Sequence, residues 1–163
     1  MLVKNRHRLK SKDIREIQEE LKKTFETNFF TEKSSVEIGD VEGNRLIFVD
    51  GEPCFMFYEN KIFFTLRGIN KYRPAKNFVV VDMGAIKFVT NGADVMAPGI
   101  VDADKTINEK DQVWICDETH RKPLAIGIAM MSGEQMIKEQ QGKAIKTIHY
   151  VGDILWNLVA KSL

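Results

Sequence analysis

The chain has 163 residues, 44% hydrophobic and 29% charged, a composition that supports a packed core and excludes disordered and fibrous classes. No apolar run approaches the ~20 residues that span a bilayer, and the first residues form no secretion signal, so we expect a cytoplasmic protein without membrane contact. The net charge of +1 conceals two locally basic segments.

The first basic segment precedes the clearest predicted helix. It contains Lys4, Arg6, Arg8, Lys10 and Lys12. Asp13 is then a candidate helix cap, with Glu16 at the spacing of a capping box. Four apolar residues follow on one helical face: Ile14, Ile17, Leu21 and Phe25. The mixed charges on the other face favour a structural helix exposed to solvent.

Over residues 35–66 the sequence pattern changes to short β-like runs separated by turn signals. Asp50-Gly51 is the strongest of these turn signals. The predicted strands form an antiparallel meander: Val36 to Val41, Arg45 to Val49, Cys54 to Tyr58, and Lys61 to Leu66. Five phenylalanines in this region could stack on bases, but core packing is the favoured interpretation: Phe48, Phe55, Phe57, Phe63 and Phe64.

The second basic segment surrounds Tyr72 and contains no acidic residue. Its cations are Arg67, Lys71, Arg73 and Lys76. Such a cluster attracts phosphate backbones, although a solvated linker is the alternative interpretation. Because proline interrupts the preceding structure at Pro74, we place a domain boundary here, with domains at 1–75 and 76–163.

The stretch 78–100 encodes an apolar strand, a helix capped by Asp82, a left-handed stop at Gly92, a short strand and a Pro98-Gly99 corner. Ala85, Ile86, Phe88 and Val89 form the predicted apolar stripe of the helix. Beyond it we predict strands at Gln112 to Cys116, Leu124 to Met130 and Ala144 to Val151, with a short helix capped by Ser132. Many short strands with two small helices predict a partly closed barrel.

Catalytic and metal-binding motifs are missing from the sequence. The three histidines, His7, His120 and His149, are widely spaced, and no nucleophile elbow, phosphate-binding loop or zinc-protease motif occurs. Cys54 and Cys116 have no partner at zinc-site spacing and are expected to be buried, with a disulfide between them as the alternative. We therefore expect a protein that is not an enzyme and has no catalytic residues, metal or cofactor.

Specific sequence motifs in the second half of the chain resemble those of the PUA domain, an RNA-binding module. The matching stretches are Gly84 to Val89, Gly92 to Ile100, Ala125 to Ala129 and Ile148 to Trp156. The resemblance implies a PUA-like mixed pseudobarrel over 76–163, behind an α+β domain of one helix and an antiparallel sheet. It also implies RNA contacts along the glycine-containing loop: Gly92, Ala93, Asp94, Ala97, Pro98 and Gly99. Val95 and Met96 are expected to fill the core.

The whole layout is similar to the family of the malignant T-cell-amplified sequence protein and its archaeal relatives. Thr65 to Arg67, Lys71-Tyr72 and the stretch from Asp82 carry this broader resemblance. It implies a translation-associated factor that contacts tRNA or small-subunit rRNA, with a protein partner resembling density-regulated protein. Expected phosphate contacts are Arg67, Lys71, Arg73, Lys87 and Lys143. The alternatives are a protein-interaction adaptor with little RNA affinity and an accessory of an RNA-modifying complex.

Overall fold

The computed structural model describes residues 2–160, which divide into two units. The first unit contains the residues up to Arg73 together with those from Ile154 onward, and the second runs from Pro74 to Asp153. This division differs from the sequence-based domains 1–75 and 76–163 at Pro74 and Ala75, and in the last helix. That helix belongs to the first unit because it packs on another helix there.

The secondary structure comprises eleven strands and five helices within the described range. The strands are β1 (Lys4–Arg8), β2 (Val36–Val41), β3 (Asn44–Val49), β4 (Glu52–Tyr58), β5 (Lys61–Phe64), β6 (Phe78–Val81), β7 (Val95–Met96), β8 (Ile100–Ala103), β9 (Gln112–Asp117), β10 (Pro123–Ala129) and β11 (Lys143–Tyr150). The helices are α1 (Ser11–Phe25), α2 (Leu66–Tyr72), α3 (Ile86–Val89), α4 (Gly133–Lys138) and α5 (Ile154–Ala160). Over residues 2–160, every helix is too short or too polar to cross a membrane.

The first unit is an antiparallel sheet in the order β1-β2-β3-β4-β5 with helix α1 packed against it. The predicted apolar face of α1 is buried, as expected, but the helix begins at Ser11 and no side chain caps it. The predicted Asp13 cap is therefore wrong. Asp13 lies inside the first turn, where a negative charge interacts favourably with the helix dipole. Asp50 and Gly51 both have positive φ, which suits the tight hairpin between β3 and β4.

Phenylalanines form much of the first core. The ring of Phe64 lies 5.0 Å from that of Phe25 and 4.7 Å from that of Phe55. Phe48 and Phe63 are also buried, whereas Phe57 is partly exposed. The core interpretation is thus confirmed for four of the five rings.

The second unit is a curled six-stranded sheet in the order β7-β11-β10-β9-β6-β8. Strands β6 and β9 are parallel and the other pairs are antiparallel. The predicted Ser132 cap of α4 is confirmed, since Ser132 and Gln135 exchange the two bonds of a capping box. Together the two units confirm the predicted α+β class with a mixed pseudobarrel in the second half.

Buried polar and sulfur groups in both units have structural roles. Cys54 and Cys116 are both buried, as expected, and burial raises the pKa of Cys54 to about 11. His149 is fully buried, with Nδ1 2.9 Å from Asp153 Oδ2. Asp117 accepts backbone N–H bonds from Thr119, His120 and Lys122, so it organises the turn between β9 and β10.

Candidate functional site

The stretch 82–100 folds as a short helical turn followed by a corner on the second unit. Asp82 Oδ1 accepts a bond from Ala85 N at 2.9 Å, which confirms the predicted cap. The helical part is brief, with one 3-10 turn and then the four residues of α3. Gly92 follows with φ of +84°, and a Cβ there would lie 2.7 Å from the Tyr150 ring. Glycine is therefore needed both for the left-handed turn and for the close approach of Tyr150.

An apolar cavity opens between the two halves of this stretch. It has a volume of about 490 Å³ and is lined by residues drawn from 82–89 and from 93–99. Four residues of the predicted loop line it directly: Ala93, Asp94, Pro98 and Gly99. Ala97 is fully buried beside it, and its N–H donates to Gly142 O at 2.9 Å. A cavity of this size and apolar character can hold one flat organic ring.

Two cavity residues expected in the core are instead exposed. Phe88 is 57% exposed and Met96 is 49% exposed, whereas their neighbours Val89 and Val95 are buried. The predictions for Phe88 and Met96 are therefore wrong. Successive helical residues point about 100° apart, so burying Val89 turns Phe88 outward in so short a helix. Met96 and Val95 alternate between the two faces of β7.

Positive and negative charges lie at the same cavity. Lys87 Nζ is 5.1 Å from the centroid of the Phe88 ring, close enough for a cation–π contact. Lys143 Nζ lies 2.9 Å from Asp94 Oδ2, and Asp94 Oδ1 also accepts the Thr147 N–H at 3.0 Å. Partial burial of Asp94 disfavours its charge, but the bonds from Lys143 and Thr147 prevail and lower the pKa of the carboxyl below its ordinary value.

The other predicted phosphate contacts belong to the first unit. Arg67 Nη1 donates to Val159 O at 3.0 Å, and Arg67 Nη2 lies 3.4 Å from Glu52 Oε1. Lys71 Nζ lies 2.7 Å from Glu52 Oε2; this bond lowers the pKa of Glu52 and raises that of Lys71. Arg73 is an exposed left-handed residue at the end of α2. Arg67 and Lys71 thus have structural partners inside their own unit.

Two protein-family models match the chain. The model described as "PUA domain" matches residues 77–151, and "Domain of unknown function (DUF1947)" matches residues 5–72. The crystal structure of hypothetical protein PH0734.1 from Pyrococcus horikoshii OT3 has a TM-score of 0.84 and 37% sequence identity. The structural match covers 94% of this chain and 99% of the Pyrococcus chain. These matches define a two-unit protein built on a PUA domain.

Relatives that match most of the chain narrow the class of protein. Protein MJ1432 of Methanocaldococcus jannaschii is 48% identical over 159 residues, covering 96% of this chain and 98% of the relative. Translation machinery-associated protein 20 of Saccharomyces cerevisiae is 36% identical over 132 residues, covering 77% of this chain and 73% of the relative. The chain belongs to the PUA-domain family that includes these proteins and the malignant T-cell-amplified sequence proteins. This membership supports an RNA-binding, translation-related role.

Proposed function

We propose that this protein is a cytoplasmic, translation-associated factor that binds tRNA or small-subunit rRNA through its PUA unit. The observation that carries the proposal is the apolar cavity with an exposed aromatic ring, Phe88, at its edge. An exposed ring is a stacking surface for an unpaired base, and every base has a face that can stack. The protein acts by binding, without a chemical step.

The surroundings of the cavity suit a single-stranded RNA end. Phe88, Pro98 and Gly99 all line the cavity, so a base that stacks on Phe88 finds apolar surface and exposed main chain within the same cavity. Lys87 is exposed beside Phe88, so its ammonium can contact the phosphate of the stacked nucleotide. Lys143 lies near the same cavity, but its ammonium group is already paired with the Asp94 carboxylate.

Salt-titrated binding to tRNA tests this function. We expect tighter binding to intact tRNA than to tRNA whose single-stranded 3′ end has been removed, and weaker binding of both by Lys87→Glu. Lys105→Glu is the matched control, because Lys105 is an exposed lysine of the same unit outside the cavity. Negligible affinity even at low salt, with no effect of Lys87→Glu, would refute the proposal.

A second candidate function is an adaptor role with a partner resembling density-regulated protein. Two adjoining cavities on the first unit share Ile38 and Phe57 as an apolar floor. Carboxylates outnumber cations around this floor: Asp13, Glu16, Glu20 and Glu59 line it together with Arg45. An acidic border around apolar side chains is complementary to a partner segment with basic and apolar residues.

Pull-down from nuclease-treated lysate tests the adaptor role. A partner held through this surface is retained after RNA removal and lost with Glu16→Lys. Glu19→Lys is the control, since Glu19 is an exposed α1 residue outside the two cavities. Loss of every partner on nuclease treatment, or equal retention by both variants, would argue against this role.

A further inference from the structure

The first strand of the chain is a basic edge with no apolar residue. All five residues of β1 are exposed, and within residues 2–160 β1 pairs only with β2, so it is an edge strand of the described sheet. The cations Lys4, Arg6 and Arg8 lie on β1, and Lys10 and Lys12 follow at the start of α1. A short, charged edge strand resists pairing with another strand, yet its density of positive charge favours a polyanion.

Most of these cations have no acidic partner. Within residues 2–160, ion pairs involve Arg6 but none of Lys4, Arg8, Lys10 and Lys12. The nearby Asp40 is already engaged by Asn5 at 3.0 Å and by Arg45 at 3.2 Å. Four charges therefore remain available to a ligand.

Arg6 differs from the other cations because its position is fixed. Glu37 receives two bonds from its guanidinium, each 3.2 Å long, from Nε and from Nη2. The guanidinium carbon lies 4.6 Å from the centroid of the Phe48 ring, which is only 1% exposed. The Arg6 side chain is itself 38% exposed. A planar guanidinium held by a carboxylate over an aromatic ring is preorganised to stack on a further flat group.

We propose that β1 and the start of α1 form a second RNA-binding surface, located on the first unit and specific for single-stranded segments. An unpaired base stacks on the Arg6 guanidinium, while Lys4 and Arg8 contact the flanking phosphates. Lys10 and Lys12 extend the positive surface along the strand. The inference rests on the proposed function in taking RNA as the ligand, but it uses none of the cavity residues.

The phosphate contacts are tested with the full chain and a single-stranded oligouridylate of about 12 nucleotides. Replacing Lys4 and Arg8 together by Gln is expected to reduce the slope of log K against log salt by about 1.4, since each single-strand phosphate contact contributes ~0.7. The double variant Lys22→Gln, Lys23→Gln removes the same charge from exposed positions on α1 and should leave the slope unchanged. Equal slopes for the two double variants would overturn the proposal.

The stacking contact is tested by Arg6→Lys, which keeps the charge and removes the planar group. With 2-aminopurine placed in the oligonucleotide, we expect loss of its fluorescence quenching and about fivefold weaker binding. The salt slope should stay the same. Unchanged quenching would overturn the stacking role of Arg6.

Phe88→Ala separates this surface from the cavity. If Phe88→Ala weakens RNA binding and the β1 variants do not, the second surface is refuted while the proposed function stands. If the β1 variants alone reduce binding, the cavity is refuted as the RNA site and the second surface stands. We expect both sets of variants to weaken binding, with the salt slope reduced by the double replacement of Lys4 and Arg8 and unchanged by Phe88→Ala.

Discussion

The basic residues of α2 and those beside the cavity look alike in the sequence but have different surroundings. Arg67 is held by Glu52 and by the Val159 carbonyl, and its side chain is 10% exposed. Lys87 is exposed, and its ammonium group lies over the face of the Phe88 ring, which is itself exposed. The partners of a cation therefore decide whether it stabilises the fold or remains available to a ligand. A basic cluster in a sequence cannot distinguish these two roles.

The largest effect that tests this contrast is on stability. Arg67→Ala removes a largely buried guanidinium that is bonded to the Val159 carbonyl and paired with Glu52, so we expect the free energy of unfolding to fall by about 3 kcal/mol. RNA affinity measured on the folded variant should not change. Urea unfolding and RNA binding check the two parts.

Arg45→Ala is the control for that experiment. Arg45 also pairs with a carboxylate, Asp40, but its side chain is 51% exposed, so the expected loss is below about 1 kcal/mol. The contrast between the two regions would fail if Arg67→Ala left stability intact and instead weakened RNA binding.

The next effect is on binding. Phe88→Ala is expected to weaken RNA binding by about 2 kcal/mol through loss of base stacking, while stability stays nearly constant because the ring is already exposed. Val101→Ala is the control, being 48% exposed and outside the cavity. Equal affinities of these two variants would contradict a stacking role for Phe88.

A smaller effect comes from the ion pair at the cavity. The pKa of Asp94 lies below its ordinary value of 3.8, so the ionised carboxylate stabilises the folded loop at pH above that value. This contribution, about 1 kcal/mol, is lost as the pH falls through the folded pKa. The Thr147 amide donates to Asp94, so its chemical shift should change as the pH falls through the folded pKa of Asp94. In Asp94→Asn the same chemical shift should stay constant over those pH values. A Thr147 shift that is flat with pH in the unaltered protein would count against the pair.

The smallest expected effect is at Lys71. Its ion pair with Glu52 is short, but the lysine side chain is 33% exposed, so Lys71→Gln should cost about 0.5 kcal/mol of stability. RNA affinity should remain within twofold of the unaltered protein, because the charge is already matched by Glu52. A larger fall in affinity with unchanged stability would place Lys71 in the RNA site.

Periodic apolar patterns predicted much of the fold correctly. The buried face of α1, the meander from β2 to β5 and the capped α4 all follow from alternation, helical spacing and capping residues. Strand β1 was missed because all its residues are exposed and polar, which leaves no alternation to detect. Helix α2 was missed because it is short and contains Gly68, which allows close approach to the Cys54 carbonyl.

The candidate site was predicted only in part. The sequence motif of the glycine-containing loop predicted four residues that line the cavity: Ala93, Asp94, Pro98 and Gly99. Exposure of Phe88 and Met96 depends on the rotation of a single helical turn and on the face of a two-residue strand. Local sequence does not determine those orientations, because tertiary packing of Val89 and Val95 sets them.

The most direct test of the cavity as the RNA site is a methyl NMR titration of the full chain with a short RNA that ends in a single-stranded CCA-3′. We expect a saturable chemical-shift change of the Met96 methyl, which lies at the cavity, and no such change in Phe88→Ala. The methyls of Met56 in β4 and of Met136 in α4 are buried references that should not move. An unchanged Met96 methyl at RNA concentrations that saturate the protein would contradict the account.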